Sequence, residues 1–262
     1  MRLHPALLAT VLALVPALPF AQGLGQQVRP GEWVDVDGAR ARLVLGAASM
    51  DGRVEGAVEI DLEEGWKTYW IAPGPSGIPP TFDAEGSRNL IMEAVEFPPP
   101  HSFEDIYGKS VGYKDDVASP VAFRLLDPAA PARVSLTGFF GVCDEICVPV
   151  QLSVEGDVVT GMSTPFADGQ SLRAARDALP ERGASDELRA TLVDGALLVS
   201  GPAIADVTTE LFVAPTGTAI LGEPSRVEDG LRFDVLRGEA PRSVVAIARA
   251  NGRAMRYEIT VD

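Results

Sequence analysis

Residues 141–149 read GVCDEICVP and contain both cysteines of the chain, Cys143 and Cys147. In an extended strand, residues four positions apart are separated by roughly 13 Å, whereas the Cα atoms of a disulfide lie about 4.4–6.8 Å apart. The chain must therefore turn between the two cysteines if they are bonded. This stretch predicts a turn or the end of a tight hairpin, with the cysteine pair at its tip.

Short runs of alternating apolar and polar residues surround this stretch and indicate strands with one buried face. Residues 41–45 (ARLVL) and 53–60 (RVEGAVEI) show this period of two clearly. The same pattern predicts further strands at 66–71, 90–95, 117–125, 133–140 and 148–154. Residues 28–157 are therefore predicted to form one block of β-structure.

The β pattern lapses over residues 158–185 and then resumes. Within this connector, residues 171–179 (SLRAARDAL) precede Pro180 and predict one short helix. Residues 186–262 return to alternation and predict a second, smaller antiparallel sandwich. Its strands are expected at 188–192, 196–200, 208–213, 231–236, 243–249 and 255–261.

The N-terminus has the pattern of a signal peptide, which we place at residues 1–23. Arg2 is followed by an apolar run over residues 6–20, and the small residues Ala21 and Gly23 suit signal peptidase. Pro16 and Pro19 end the run short of the roughly 20 apolar residues that a membrane span needs. The mature protein is therefore expected in an oxidising compartment, most simply a bacterial periplasm, without membrane insertion.

Composition and charge exclude some classes of partner. The chain has 262 residues, of which 46% are hydrophobic, and this favours a globular protein over a disordered one. The formal net charge is -15. Nucleic acids and anionic lipid surfaces are poor partners for such a chain, because no basic stripe offsets the repulsion.

Several motifs in the first block are similar to a known family. They are GWKTYW at 65–70, PGPSGIPPTF at 73–82, FPPP at 97–100, EDIYGK at 104–109, GY at 112–113 and CVP at 147–149. In this order they resemble the N-terminal periplasmic domain of the DsbD family of thiol:disulfide interchange proteins. They resemble more closely the two-domain N-terminal region of the related ScsB branch. The resemblance implies an all-β protein of two immunoglobulin-like antiparallel β-sandwich domains in tandem, with the short helical connector between them.

The resemblance gives the cysteines a catalytic role. Thiol chemistry agrees, because the thiolate of one cysteine attacks a partner disulfide and the second cysteine resolves the mixed disulfide. The residues alone do not decide which cysteine attacks, whereas the family pattern implies that Cys147 is the one joined to partners. Asp144 and Glu145 lie between the cysteines and disfavour the thiolate, so neither thiol is expected to be strongly acidic.

The resemblance also identifies a cap loop at residues 102–109 that covers the cysteine pair. Phe103, Ile106 and Tyr107 are its candidate shielding residues, and Ile106 stands where related chains often have Phe. Gly108 is a candidate hinge. In the family, tyrosines and acidic residues surround the pair, so Tyr69, Glu104 and Asp105 are the candidates for tuning protonation there. If residues 66–70 form a strand, Tyr69 faces the opposite side from Trp66, Thr68 and Trp70.

Two other functions fit the same cysteines. Two thiolates bind Cu(I), so a periplasmic Cu(I)-binding module is one alternative, with His101 or Met162 as a third ligand. A non-catalytic interaction protein with a structural disulfide is the other. The chain has two His and two Cys. These residues support neither a His-based hydrolytic dyad nor a zinc site with four ligands. We therefore assign no metal site and no cofactor.

The expected activity, if the pair is redox-active, is that of a protein-disulfide reductase or thiol-disulfide exchange component. The sequence contains neither the transmembrane conductor nor the thioredoxin-like domain of full-length family members. Electrons are therefore expected from a membrane-embedded donor in trans, and oxidised periplasmic thioredoxin-like proteins are the expected recipients. The sequence leaves open whether the recipient serves cytochrome maturation, disulfide isomerisation or metal resistance.

Overall fold

The structure is a computed structural model that describes residues 27–105 and 108–262. The predicted signal peptide, residues 1–23, lies outside the described residues, as do Ile106 and Tyr107 of the predicted cap loop. The backbone of Asp105 is described, but its side chain is not.

In the described residues, twelve strands precede the helix and form the first sandwich. In chain order they are β1 (Gln27–Val28), β2 (Val34–Val36), β3 (Ala39–Leu45), β4 (Arg53–Leu62), β5 (Lys67–Tyr69), β6 (Thr81–Asp83), β7 (Leu90–Val95), β8 (His101–Asp105), β9 (Gly108–Tyr113), β10 (Val117–Leu125), β11 (Arg133–Cys143) and β12 (Cys147–Asp157).

These strands lie in two sheets that enclose one core. The seven-stranded sheet has the order β1-β12-β11-β5-β9-β8, with β6 also paired to β11, and the five-stranded sheet has the order β2-β3-β4-β10-β7. Neighbours are antiparallel except β1, which pairs parallel with β12 at the edge of its sheet. That edge pair was not expected, because a two-residue strand is too short to show alternation.

Alternation places one face of each long strand in the core. In β10, for example, every second residue from Val117 to Leu125 is buried, and its bounds are those predicted from the sequence. The fully buried Leu43 and Phe123 of one sheet pack in the same cluster as Phe140 of the other. Sheet pairing and burial of this kind supply the main stabilisation of a sandwich.

The connector packs against the first sandwich. Its helix α1 (Phe166–Asp177) begins five residues before the predicted start, directly after Pro165. Leu172 and Ala175 are buried against Val44 and Ala57 on the outer face of the five-stranded sheet. The helix is therefore part of the fold of the first sandwich.

Nine strands follow α1 and form the second sandwich. They are β13 (Glu181–Arg182), β14 (Arg189–Val193), β15 (Ala196–Ser200), β16 (Glu210–Pro215), β17 (Ile220–Leu221), β18 (Ser225–Val227), β19 (Gly230–Arg237), β20 (Ser243–Ala250) and β21 (Arg253–Thr260). A single 3-10 turn at Pro202–Ile204 lies between β15 and β16.

The second sandwich again has two sheets, in the orders β13-β21-β20-β16 and β14-β15-β19-β17, with β18 beside β19. Strand β13 lies inside the predicted connector and pairs parallel with β21, so the second sandwich begins before residue 186. Phe212, Ala214 and Ile247 of this sandwich pack into the core of the first one. Over residues 27–105 and 108–262 the fold is all-β with one α-helix, as predicted, and the two sandwiches share apolar packing.

Candidate functional site

The two cysteines are bonded at the end of the longest hairpin of the first sandwich. Strands β11 and β12 pair from Arg133 and Asp157 down to Cys143 and Cys147, which face each other as the last pair. Their Cα atoms are 4.1 Å apart. The N–H of Asp144 donates to the carbonyl oxygen of Ile146 at 3.3 Å, which closes the three-residue turn. The predicted hairpin end is confirmed.

The two sulfur atoms differ in exposure. Cys143 is fully buried, whereas Cys147 is partly exposed. Thiol-disulfide exchange requires the attacking sulfur to approach one sulfur of the disulfide directly, so access decides which sulfur reacts. A protein partner would therefore reach Cys147 first.

Tyr69 places its hydroxyl group at both sulfurs. Its Oη atom is 3.1 Å from Sγ of Cys143 and 3.3 Å from Sγ of Cys147. Sulfurs in a disulfide carry no hydrogen, so the Tyr69 hydroxyl is the donor in this oxidised state. In the dithiol state the same hydroxyl group can donate to a thiolate, and such charge-assisted hydrogen bonds are stronger.

Strand β5 positions Tyr69 through its pairing with β11. Thr68 pairs with Val142 and Lys67 with Cys143 in this register. The buried Thr68 hydroxyl also donates to the carbonyl oxygen of Gly141 at 2.8 Å. Tyr69 is buried among the cysteines and Phe103, whereas Trp70 is buried in the main core. Tyr69 and Trp70 therefore lie on opposite faces of the sheet, as predicted.

Phe103 covers the pair from strand β8. It is 7% exposed and belongs to the same buried cluster as Tyr69 and Cys143. Its ring centroid is 6.3 Å from that of Tyr69. The segment predicted as a cap loop thus forms two paired strands, β8 and β9, and we call their described residues, 101–105 and 108–113, the cap hairpin.

The other predicted cap residues are placed differently or not described. Glu104 is exposed and alternates with Phe103 along β8, so it lies on the face away from the cysteines. Gly108 has a φ of 106°, a backbone conformation that favours glycine. Ile106 and Tyr107, and the side chain of Asp105, remain outside the described residues.

Two lysines flank Phe103, and the sequence reasoning missed both. The Nζ atoms of Lys67 and Lys114 each lie 5.3 Å from the centroid of the Phe103 ring. Lys67 is buried and directly opposite Cys143 in the sheet. Positive charge near a thiol favours its thiolate, which opposes the effect expected from the exposed Asp144 and Glu145. Strand alternation offered a signal, because it puts Lys67 on the same face as Tyr69.

The proline-rich loop at 73–80 also touches the site. Ile78 packs against the cluster of Tyr69, Phe103 and Cys143. A Cβ atom on Gly77 would lie 2.8 Å from Cδ1 of Tyr69 and closer still to Pro73. The loop therefore fixes the Tyr69 ring by close packing.

Comparison with known proteins agrees with this geometry. Residues 39–157 match the family described as thiol:disulfide interchange protein DsbD, N-terminal. The crystal structure of the N-terminal periplasmic domain of ScsB from Proteus mirabilis superposes with a TM-score of 0.67 at 18% identity. That match covers 87% of this chain and 96% of the ScsB chain.

Residues 39–157 are a DsbD-type N-terminal domain. The reduced DsbD N-terminal domain of Neisseria meningitidis is also similar, with 19% identity and a TM-score of 0.30 over 49% of this chain and 90% of that one. No curated protein matched the chain by sequence. The family match supports thiol:disulfide interchange as the chemistry of the DsbD-type domain, and the ScsB domain shows the same fold.

The described residues contain neither a membrane-spanning helix nor a cluster of metal ligands. Over residues 27–105 and 108–262, no helix has the length and apolar character to cross a membrane. In the same residues, no three His, Cys, Asp or Glu side chains group together to hold a metal ion. The two candidate third ligands for Cu(I) are His101 and Met162. Nη1 of Arg249 lies 2.8 and 3.1 Å from the ring nitrogens of His101, and Met162 is exposed on the connector.

Proposed function

We propose that this protein is a periplasmic thiol:disulfide interchange protein. In this proposal the Cys143–Cys147 pair relays reducing equivalents from a membrane-embedded donor to oxidised thioredoxin-like proteins. The observation that carries it is the pair itself: one sulfur is buried, the other is partly exposed, and a tyrosine hydroxyl lies within 3.3 Å of both. The ScsB domain that superposes on this chain is itself periplasmic.

The reaction begins with the reduced pair. The thiolate of Cys147 attacks one sulfur of the recipient's disulfide, that bond breaks, and the other recipient sulfur leaves as a thiolate. Cys143, which faces Cys147 across the hairpin, then loses its proton and attacks Sγ of Cys147. The mixed disulfide breaks, the recipient leaves with two electrons, and the Cys143–Cys147 bond forms. A dithiol donor reverses these steps and restores the reduced pair.

The surrounding residues support each step. Tyr69 donates its hydroxyl hydrogen to whichever sulfur becomes a thiolate, and the Lys67 ammonium favours that charge. Phe103 covers the pair between encounters, which limits reaction with small thiols. The units we propose are the redox domain at 28–157, the connector, and the second sandwich up to residue 262.

A redox titration tests this function. The mature protein is equilibrated in graded glutathione or dithiothreitol buffers, free thiols are alkylated, and the labels are counted by intact mass. We expect a midpoint between about -180 and -270 mV, the range of exchange proteins. A bridge that stays closed below about -300 mV would be structural, and the interaction-protein alternative would then stand.

Single-cysteine variants test the order of attack. Cys143→Ala leaves the partly exposed Cys147 without a resolving partner and should accumulate mixed disulfides with a thioredoxin-like recipient. Cys147→Ala leaves only the buried Cys143 and should accumulate few. Equal trapping by both variants would show that burial does not select the attacking sulfur.

A further inference from the structure

The second sandwich contacts both strands of the cap hairpin. On β9, Nζ of Lys109 lies 3.0 Å from Oε2 of Glu223, which belongs to the loop after β17. On β8, Nη1 of Arg249 lies 2.8 Å from Nδ1 of His101 and donates to the carbonyl oxygen of Pro100 at 3.0 Å. An arginine only donates, so the facing ring nitrogen of His101 is the acceptor.

Apolar contact next to these pairs fixes the second sandwich against strand β5. The rings of Trp70 and Phe212 meet edge to face, with centroids 6.3 Å apart. Trp70 directly follows Tyr69, whose hydroxyl group is hydrogen-bonded to the disulfide. The second sandwich therefore packs next to the tyrosine of the site. Phe212 is 4% exposed, which makes this a packed contact that can hold the polar pairs in place.

Between the cap hairpin and the second sandwich lies a cleft of about 540 Å³. Ser102 and Val111 line it from the hairpin, and Phe212 and Ile220 line it from the second sandwich. The hairpin is therefore not packed against the second sandwich along its whole length. Lys109 and Glu223 both line this cleft, so their ion pair bridges it. The contacts of Arg249 with His101 and Pro100 join the hairpin to the second sandwich outside the cleft.

We infer that the second sandwich is a brace for the cap hairpin, and that Glu223 and Arg249 set how often Phe103 uncovers the Cys143–Cys147 disulfide. Glu223 holds β9 and Arg249 holds β8, the strand that carries Phe103. Loss of either contact lets the hairpin move without breaking the fold of either sandwich. The role of the brace in thiol:disulfide exchange rests on the proposed function. Its effect on the exposure of the disulfide does not depend on that function.

The effect of each contact on exposure is modest. Lys109 and Glu223 are both more than half exposed, and solvent screens such pairs strongly. An exposed pair shifts an equilibrium by roughly two- to fivefold. If reduction requires the hairpin to move first, removing one contact should accelerate reduction by the same factor.

The test is the rate at which dithiothreitol reduces the disulfide of the full chain, followed by quenching and alkylation. Glu223→Gln and Arg249→Gln should each be reduced about two to five times faster than the wild type. Glu258→Gln is the matched control, because it removes an ion pair with Arg256 that lies wholly within the second sandwich. Its rate should equal that of the wild type.

A charge swap separates the ion pair from other effects of substitution. Lys109→Glu alone should accelerate reduction, because it removes the pair with Glu223 and places a like charge opposite Glu104 on β8. Combining it with Glu223→Lys should make reduction slower than in Lys109→Glu alone, because the pair re-forms with reversed polarity while the repulsion from Glu104 remains. Added salt should accelerate the wild type toward the rate of Glu223→Gln and leave that variant nearly unchanged. Near-ultraviolet circular dichroism checks that each variant is folded.

Equal rates for Glu223→Gln and Glu258→Gln would overturn the brace, as would a charge swap that is reduced no more slowly than Lys109→Glu alone. These outcomes are independent of the redox titration. A disulfide with a midpoint below about -300 mV would refute the proposed function even if Glu223→Gln accelerates reduction. A working potential with no acceleration would instead refute the brace alone.

Discussion

Removal of a single oxygen from Tyr69 is the sharpest test of the site. Tyr69→Phe deletes the hydroxyl group that lies 3.1 Å from Sγ of Cys143 and 3.3 Å from Sγ of Cys147. The ring remains, so its packing against Phe103 should persist. The substitution therefore removes the hydroxyl group from the sulfurs and keeps the aromatic ring in place.

The expected magnitude follows from the hydrogen bond. A bond to a charged group contributes about 1.5–3 kcal/mol, so its loss should raise the pKa of the attacking thiol by about 1–2 pH units. The thiolate fraction at neutral pH then falls by the corresponding power of ten. A less acidic thiol is intrinsically more nucleophilic, which cancels a little under half of the logarithmic effect. The exchange rate at neutral pH should fall by roughly 4- to 15-fold.

The assay is the rate of alkylation of the reduced protein by iodoacetamide as a function of pH. The midpoint of this profile should move to higher pH in Tyr69→Phe. Tyr113→Phe is the matched control, because the Tyr113 hydroxyl donates to the carbonyl oxygen of Pro98 at 2.9 Å. A Tyr69→Phe profile with the wild-type midpoint would refute the argument, even if the absolute rates differ.

Three further predictions follow from residues around the site and in the second sandwich. Gly112→Ala should accelerate reduction by dithiothreitol at least about threefold, because an added Cβ would lie 2.1 Å from the Thr68 carbonyl oxygen and push β9 off β5. Lys67→Met should slow exchange at neutral pH by roughly 3- to 10-fold, measured with a small disulfide, because it removes the cation opposite the pair. Burial and the hydrogen bond to Glu187 raise the pKa of Tyr257 to about 12, above its ordinary value of 10. The contribution of Tyr257 to the free energy of unfolding is therefore fully present below about pH 10, the pKa in the unfolded chain. It is lost as the pH rises toward about 12, the pKa in the folded protein. Urea titrations across this range should show a loss of roughly 1–2 kcal/mol that is absent in Tyr257→Phe.

Each of these has a control or a contrary outcome. Gly169→Ala adds the same methyl group to α1, where the nearest atom is 3.6 Å away, and should leave the reduction rate unchanged. Lys114→Met removes the exposed lysine on the other side of Phe103 and should have the smaller effect. If Lys114→Met is the slower variant, Lys67 is not the main source of positive charge. If the free energy of unfolding falls equally with pH in the wild type and in Tyr257→Phe, the raised pKa of Tyr257 does not contribute to stability.

Local alternation predicted the strands that are long enough to show it. The bounds of β7, β10 and β15 agree with the sequence prediction, because each strand is a mainly apolar run of five or more residues. Strands of two or three residues, such as β6, β13 and β17, contain no full period and were missed. The cap loop was predicted from the family resemblance, and local alternation did not indicate a strand there because β8 (HSFED) has Phe103 as its one apolar residue.

The site was predictable in part, for reasons that concern distance along the chain. The turn was predictable because the cysteines are only four positions apart. The place of Tyr69 at the cysteines was predictable from the family resemblance. The pairing of Lys67 with Cys143 joins residues 76 positions apart through the register of β5 on β11. No local pattern fixes that register. The position of Glu104 on the exposed face likewise depends on β8 being a strand.

The shared apolar contact between the sandwiches has a thermodynamic consequence. Phe212 and Ile247 bury their side chains in the core of the first sandwich beside Trp70. Unfolding the second sandwich alone would expose that part of the other core to water, at a cost that disfavours a half-folded state. Scanning calorimetry should therefore give one cooperative peak, in which the calorimetric and van't Hoff enthalpies agree, and two resolved peaks would show independent units.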